Sequence, residues 1–235
     1  MKKRIVIKIG SSSITKNGSL NMRVMHSIAS QVSLLFKLGV KIVIVSSGAV
    51  ACGRKILNTN RKMSNQVAAI YGQNLLLNAW SKVFEKYNVT VGQVLISESN
   101  LKISSTPLVK GLKHGIQIIN ANDAVNDEEM KAFYLSSDND KLSGHIARFI
   151  KANILILLTN VDGVLNEEGK VINKLESNYN VRFGKKSSAG TGGMSSKVTV
   201  GFESTQKGIT TFIANANTKD IILKILTGKQ IGTTF

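Results

Sequence analysis

Lysine, small hydroxyl and carboxylate side chains recur in this sequence of 235 residues where apolar runs end. Lys8 lies near the end of the first run, Asp123 follows a later one, and Lys197 closes a glycine- and serine-rich stretch at 190–197. Lysines beside exposed backbone N–H groups hold phosphate, and carboxylates hold lysines or hydrated Mg²⁺. These residue types predict an anion site with carboxylates beside it.

Two loops, at 10–13 and 190–193, resemble phosphate cradles. Both combine glycine with serine or threonine, which lets backbone N–H groups approach an anion closely. Neither loop fits the P-loop spacing G-x-x-x-x-G-K-[ST], and neither completes G-x-G-x-x-G. A tight turn with a solvent-exposed lysine explains each loop equally well when it is taken singly.

The Ser-Asp-Asn-Asp run at 137–140 places two carboxylates in one turn. A helix N-cap needs at most two of these residues, so the run could also hold lysines or a hydrated Mg²⁺ near a phosphate. The histidines lack metal-ligand spacing, and no Ser/His/Asp arrangement is present. Cys52 lies among small apolar residues, which predicts a core position rather than a nucleophile.

The elements that must position these residues alternate between helix and strand. Three times, at 34–46, 112–120 and 206–214, an amphipathic stretch ends in glycine and a β-branched run follows, which predicts a helix closed by left-handed glycine and then a strand. Strands are predicted at 4–9, 40–46, 89–97, 116–120, 154–159 and 209–214. The alternation predicts an α/β fold with a mainly parallel sheet covered by helices on both faces.

Other local signals complete this picture. Ser64 can cap a helix that runs to about residue 86, and a further helix follows 137–140. Residues 160–171 predict a hairpin flap, and 178–193 a polar loop. Ligands bind outside the carboxyl ends of strands in an open parallel sheet, so the loops after the strands should converge on one edge.

The composition excludes several classes of protein. A single cysteine excludes a disulfide scaffold, and no apolar run reaches the roughly 20 residues of a membrane span, so we expect a cytoplasmic protein. The formal net charge of +17 suggests an anionic partner. Most of the cations are scattered lysines and only 6% of the residues are aromatic, which favours a solvated surface over nucleic-acid binding.

Taken in order, the segments that follow the predicted strands resemble the amino acid kinase family, most closely its members that phosphorylate L-glutamate. The matching segments are 7–12, 45–51, 91–95, 119–125, 138–142, 190–197 and 232–235. The resemblance covers essentially the whole chain. It implies a three-layer αβα sandwich around a mainly parallel central sheet, in one domain over 1–235, without the C-terminal PUA domain that many members carry.

The resemblance implies transfer of the γ-phosphoryl group of ATP to the γ-carboxylate of L-glutamate, the first step of proline biosynthesis. Lys8 and Lys197 would offset the repulsion between the two anions, and Asp140 would orient both lysines. Mg²⁺ would be carried by ATP, with no metal ligand from protein side chains. The implied substrate contacts are Ser47, Gly48, Ala49, Asn120, Asp123 and Asn139. The implied nucleotide contacts are Lys8, Gly10, Ser11, Thr159, Asn160, Thr191, Gly192, Gly193, Met194, Ser195, Ser196 and Lys197.

The resemblance also implies partners and regulation. Proline is expected as a feedback inhibitor, a homo-oligomer (dimer or tetramer) as the assembly, and glutamate-5-semialdehyde dehydrogenase as the enzyme that uses the product. Neither nucleic acid nor membrane is expected as a partner. The sequence departs from the family at Asn160, where members commonly carry aspartate after the threonine, so a charge is absent beside the nucleotide.

Three alternatives stay open on the sequence. A family member could act on another acid, such as carbamate, N-acetylglutamate or aspartate, although segments 119–125 and 138–142 favour glutamate. A basic nucleic-acid-binding protein would bind oligonucleotides with steep salt dependence. A catalytically inactive amino-acid sensor would not need Lys8, Asp140 and Lys197.

Overall fold

The structure is a computed structural model, and it describes residues 3–58, 63–97, 105–125, 138–176 and 193–235. A seven-stranded sheet forms its centre, in the order β5-β6-β4-β1-β7-β8-β9. All neighbouring strands of this sheet pair in parallel except β8 and β9. The strands are β1 (Arg4–Ile9), β2 (Thr15–Lys16), β3 (Ser19–Leu20), β4 (Lys41–Ser46), β5 (Val91–Ile96), β6 (Ile116–Ala121), β7 (Ile154–Thr159), β8 (Thr210–Asn215) and β9 (Thr233–Thr234).

Helices cover both faces of the sheet, which confirms the predicted α/β class. The helices are α1 (Ser11–Ile14), α2 (Met22–Lys37), α3 (Ala49–Ile56), α4 (Asn65–Glu85), α5 (Ser105–Gly111), α6 (Asn139–Phe149), α7 (Met194–Thr205) and α8 (Ile221–Leu226). Helices α2, α4 and α8 pack on one face, and α5, α6 and α7 on the other. None of the helices in the described ranges is long and apolar enough to cross a bilayer.

The two-residue period of the strands decides which face each side chain meets. In β1, Ile5 and Ile7 belong to the core beneath α2, α4 and α8, whereas Val6 belongs to the core beneath α5, α6 and α7. Lys8 shares the parity of Val6 and lies at the carboxyl end of the strand. It is therefore directed toward the layer that contains α6 and α7.

Strands are added outward on both sides of the central pair, β1 and β7. From β1 the order continues to β4 on one side, and from β7 it continues to β8 on the other. The carboxyl ends of β1 and β7 therefore flank the point where the strand order reverses, which is where open α/β sheets bind ligands.

All six predicted strands are present, with ends that differ by at most two residues. The helix predicted from Ser64 is α4, and the Ser64 side chain accepts a hydrogen bond from the Val67 N–H over 3.2 Å. The predicted flap is present, with an antiparallel bridge between Leu165 and Val171. The predicted polar loop at 178–193 lies outside the described residues except for Gly193.

The prediction of left-handed glycine was wrong at one of three positions. Gly39 and Gly208 have positive φ values of 87° and 75°, as a helix end requires. Gly115 has no positive φ. A Cβ atom there would lie only 2.3 Å from the Thr90 carbonyl oxygen, so this glycine is required by close approach to the backbone before β5.

The unpredicted elements are the short helices α1, α3 and α8, the hairpin of β2 and β3, and the strand β9. The hairpin of β2 and β3 turns through Asn17 and Gly18, both with positive φ. This Asn-Gly pair is the commonest signal for a two-residue hairpin turn, so the sequence did contain it. Strand β9 has only two residues, and no pattern in the sequence indicates it.

Helices α3 and α4 approach each other at two glycines. A Cβ atom at Gly53 would lie 1.8 Å from the Ala68 carbonyl oxygen, and one at Gly72 would lie 1.8 Å from the Ala49 carbonyl oxygen. Both neighbours are backbone atoms, which cannot rotate away. The start of α3 is thereby held against α4.

We expect Gly72→Ala to destabilise the protein, although alanine is the better helix former by about 1 kcal/mol. The added methyl group must push α3 away, and overpacking of this kind costs about 2–3 kcal/mol. Urea denaturation measures the change in the free energy of unfolding. Gly92→Ala is the control, because nothing lies within 4 Å of the added atom. An unchanged midpoint for Gly72→Ala would contradict the close approach.

Candidate active site

Two lysines share one buried carboxylate at the carboxyl end of β1. Lys8 Nζ lies 2.5 Å from Asp140 Oδ1, and Lys197 Nζ lies 3.0 Å from Asp140 Oδ2. The exposed fractions of the three residues are 5% for Lys8, 7% for Lys197 and 0% for Asp140. The structure therefore brings together three residues that are distant in sequence, from β1, α6 and α7.

The ends of two helices hold this cluster in place. Asp138 is the N-cap of α6, and its Oδ1 accepts a hydrogen bond from the Asp140 N–H over 2.9 Å. Its Oδ2 accepts a hydrogen bond from the Ser196 hydroxyl in the first turn of α7. The short acidic run thus serves as helix cap and as a link between α6 and α7, while Asp140 carries the lysines.

The pKa values in the cluster follow from the burial of its three residues and from the presence of two lysines for one aspartate. Burial alone would raise the pKa of Asp140, but the two lysines overcome this effect and hold its pKa below the ordinary value. Burial lowers the pKa of Lys8, and Lys197 lowers it further, against the opposing attraction of Asp140. With both lysines and Asp140 ionised, these three residues carry one excess positive charge, which the neighbouring Asp138 carboxylate offsets in part at Lys8.

A chain of side-chain amides lies beside the cluster. Asn139 Nδ2 donates to Ser47 Oγ over 2.9 Å and to Asn120 Oδ1 over 3.1 Å. Asn120 Nδ2 in turn donates to Gln73 Oε1 over 2.8 Å. The carboxyl ends of β4 and β6 are thereby joined to the start of α6 and to the middle of α4.

The loop after β4 has a conformation that requires glycine. Gly48 has a φ of 109°, which L side chains rarely adopt, and it is followed by Ala49, the first residue of α3. Below it, the Trp80 indole N–H donates to Ser46 Oγ over 3.0 Å. The positive φ of Gly48 and the hydrogen bond from Trp80 to Ser46 thus both constrain the segment 46–49.

Asp123 lies two residues beyond the end of β6 and is largely buried. Burial raises its pKa to about 6. This carboxyl group therefore changes its charge near neutral pH, unlike a carboxyl group in water.

The residues predicted to contact a nucleotide lie on the other side of Lys8, as far as the structure describes them. A Cβ atom at Gly10 would lie 3.6 Å from Lys8 Nζ and 3.7 Å from the Leu158 carbonyl oxygen, so Gly10 adjoins both the cluster and the end of β7. Thr159 Oγ1 donates to Asn160 Oδ1 over 3.4 Å. Helix α7 begins with the remaining residues of this set, Gly193 as N-cap and then Met194, Ser195, Ser196 and Lys197. Thr191 and Gly192 lie outside the described residues.

The residues near the cluster do not form a metal cage. Both oxygens of Asp140 face lysines, and both oxygens of Asp138 accept hydrogen bonds. Within the described ranges, no group of three or more histidine, cysteine, aspartate or glutamate residues could hold a metal ion. Cys52 is buried, which raises its pKa to about 11, so it is not an activated nucleophile.

Sequence reasoning missed one residue of the site, Gln73. It lies within the predicted helix α4, where a glutamine has no distinguishing local signal. Only its contact with Asn120, 47 residues away in sequence, connects it to the site.

The ion-pair cluster predicts unequal losses of stability for two substitutions. Asp140→Asn leaves two buried lysines without a counterion, and we expect it to lower the free energy of unfolding by about 3 kcal/mol or more. Lys8→Met leaves a neutral pair. Because folding lowers the pKa of Lys8, its charge opposes folding at neutral pH, and we expect a change within about 1 kcal/mol of zero. Urea denaturation at pH 7 compares the two; equal losses would contradict this account.

Comparisons with known proteins agree with this geometry. The sequence matches the amino acid kinase family over residues 3–215. A glutamate 5-kinase from Methanosarcina barkeri (strain Fusaro / DSM 804) is 35% identical over an alignment of 264 positions, which covers 99% of this chain and 68% of that protein. A glutamate 5-kinase from Clostridium acetobutylicum is 36% identical over an alignment of 256 positions, which covers 99% of this chain and 94% of that protein.

The fold has solved counterparts. Carbamate kinase from Giardia lamblia bound to AMP-PNP superimposes with a TM-score of 0.65 at 15% sequence identity, and the match covers 99% of this chain and 98% of that one. At this identity the likeness concerns the fold. Together with the sequence matches and the six predicted strands in their expected places, it establishes that this chain belongs to the amino acid kinase family.

Proposed function

We propose that this chain transfers the γ-phosphoryl group of ATP to the γ-carboxylate of L-glutamate. Family membership supports an ATP-dependent kinase, and the full-length similarity to proteins named glutamate 5-kinase supports glutamate as the acceptor. The observation that carries the proposal is the pair of buried lysines on Asp140, at the point where the strand order of the sheet reverses.

The reaction requires positive charge to offset the repulsion between the carboxylate and the triphosphate, and it requires no general base. A γ-carboxylate oxygen of glutamate forms a bond to the γ-phosphorus of ATP, while the bond from that phosphorus to the β,γ-bridging oxygen breaks. ADP leaves with the electron pair, and the product is an acyl phosphate. The nucleophile is already ionised at neutral pH, so the main barrier is the approach of two anions.

Lys8 and Lys197 act on this barrier as catalytic residues. Their ammonium groups are held by a single carboxylate, so the cluster keeps positive charge available for the phosphate oxygens and for the attacking carboxylate. Asp140 is a positioning residue, because both of its oxygens are occupied by the lysines. Burial strengthens these interactions, since little water screens them.

Glutamate lies on the side of β4 and β6. Ser47, Asn120 and Asn139 form the hydrogen-bonded chain that meets it, and the backbone at Gly48 and Ala49 completes the subsite. Asp123, at the end of β6, binds the α-ammonium group, because a carboxylate supplies both charge and acceptor oxygens.

ATP lies on the side of β7, against Gly10, Ser11, Thr159, Asn160 and the start of α7. Mg²⁺ enters as part of the MgATP substrate and offsets charge on the phosphate oxygens. Asn160 retains hydrogen-bonding capacity without charge. Inhibition by proline, a dimeric or tetrameric assembly, and use of the labile product by glutamate-5-semialdehyde dehydrogenase in the cytoplasm stay predictions of the family resemblance.

The first test traps the product. Purified protein with MgATP, L-glutamate and hydroxylamine should form glutamate-dependent hydroxamate together with ADP. In Lys8→Ala we expect kcat to fall by about 10²–10³-fold, as for other electrostatic stabilisers. Lys207→Ala is the control, because this lysine is exposed in the turn after α7. ADP release without glutamate-dependent hydroxamate would reject glutamate as the acceptor, and carbamate, N-acetylglutamate and aspartate would be assayed next.

A second test uses the pKa of Asp123, which is about 6. Below this pH the carboxyl group is neutral and loses its attraction for the α-ammonium group, while the γ-carboxylate of free glutamate stays largely ionised to about pH 5. We expect kcat/KM for glutamate to fall about tenfold per pH unit below pH 6, since this parameter reports the free enzyme. In Asp123→Asn the value should be lower at pH 7 and nearly constant from pH 7 to 5. The same decline in both proteins would exclude Asp123 as its cause.

A further inference from the structure

Gln73 contacts the site without facing the reacting groups. It lies in the middle of α4, and its Oε1 accepts the hydrogen bond of Asn120 Nδ2 over 2.8 Å. Asn120 is buried, with 1% of its surface exposed. A buried amide that lacks its partner costs about 1–3 kcal/mol, so the orientation of these side chains matters.

One backbone group fixes the direction of the whole amide chain. The Ala121 N–H can only donate, and it donates to Asn120 Oδ1 over 2.9 Å. Asn120 must therefore present its Nδ2 to Gln73, and the atom of Gln73 that receives it must be the oxygen. Asn139 Nδ2 also donates to Asn120 Oδ1, so the oxygen of Asn139 is turned away from Asn120.

The amide chain consequently ends in a hydrogen-bond donor on one side and an acceptor on the other. Gln73 Nε2 is a buried donor and Asn139 Oδ1 is a buried acceptor, and neither has a hydrogen-bond partner among the described residues. Buried polar groups of this kind are satisfied by ordered water or by a bound ligand. The α-ammonium group of an amino acid is a donor that suits Asn139 Oδ1.

We propose that Gln73 is a positioning residue that makes the subsite selective for an α-amino acid. Its Oε1 anchors Asn120 Nδ2 while the Ala121 N–H anchors Asn120 Oδ1, and the two bonds together hold the oxygen to which Asn139 Nδ2 donates. Without Gln73 Oε1, Asn120 is held only at its oxygen, and Asn139 is held less firmly in the orientation that turns its own oxygen toward the α-ammonium group. This inference rests on the proposed function, because it assumes glutamate as the acceptor.

The test compares glutamate with glutarate, which has the same two carboxylates and no ammonium group. Gln73→Met keeps the length of the side chain and removes the acceptor. We expect it to raise KM for glutamate about tenfold or more and to lower the ratio of kcat/KM for glutamate to that for glutarate by a similar factor. KM for MgATP should change little, while the melting temperature should fall by several degrees, because Asn120 Nδ2 loses its partner. Gln73→Glu keeps an acceptor oxygen and should retain most of the preference for glutamate.

Asn74→Met is the matched control, because this neighbour in α4 is exposed. Equal loss of preference in Gln73→Met and Gln73→Glu, or no loss in Gln73→Met, would overturn the inference. A melting temperature that falls together with a parallel rise of both KM values would assign Gln73 a purely structural role and would also overturn it. Absence of glutamate-dependent hydroxamate in the wild type would reject the proposed function itself, before any variant is compared.

Discussion

A single buried carboxylate that holds two lysines is the interaction on which the rest of the structure depends. Three buried charges are costly to remove from water, and they are tolerated only because one aspartate faces both lysines. The fold supplies this arrangement from β1, α6 and α7, which meet where the strand order reverses. The two-residue period of β1 and the cap at Asp138 determine where the three side chains lie. The excess positive charge of the cluster is its useful property.

The amide chain beside the charged cluster depends on the opposite layer of the molecule. Helix α4 packs on the far face of the sheet, yet it reaches the carboxyl ends of β4 and β6 through Trp80 and Gln73. The close approach at Gly53 and Gly72 fixes α3 against the same helix. One helix therefore contacts both the end of β4 at Ser46 and the amide chain at Asn120. The charged cluster and the amide chain are thus supported by different layers.

The sequence determined the architecture well, because strong β-branched runs and capped amphipathic stretches alternate along it. It also brought Lys8, Asp140 and Lys197 into one hypothesis, through the order of several short segments. Gln73 could not be found in this way, since its role depends on a contact with Asn120 and on the Ala121 N–H. Gly115 was assigned a helix-end conformation that it does not have, because close approach to Thr90 is invisible in the sequence. Asn17 and Gly18, by contrast, do indicate a two-residue hairpin turn in the sequence, although this hairpin was not predicted.

The central position of β1 has a consequence for biosynthesis. This strand is made before the other strands of the sheet, and its two neighbours are β4 and the much later β7, where Ile5 pairs with Ile154. During translation, one side of an apolar strand therefore stays without its partner until β7 has also left the ribosome. Strand edges of this kind are where nascent chains associate wrongly, and pairing across so many residues is slow.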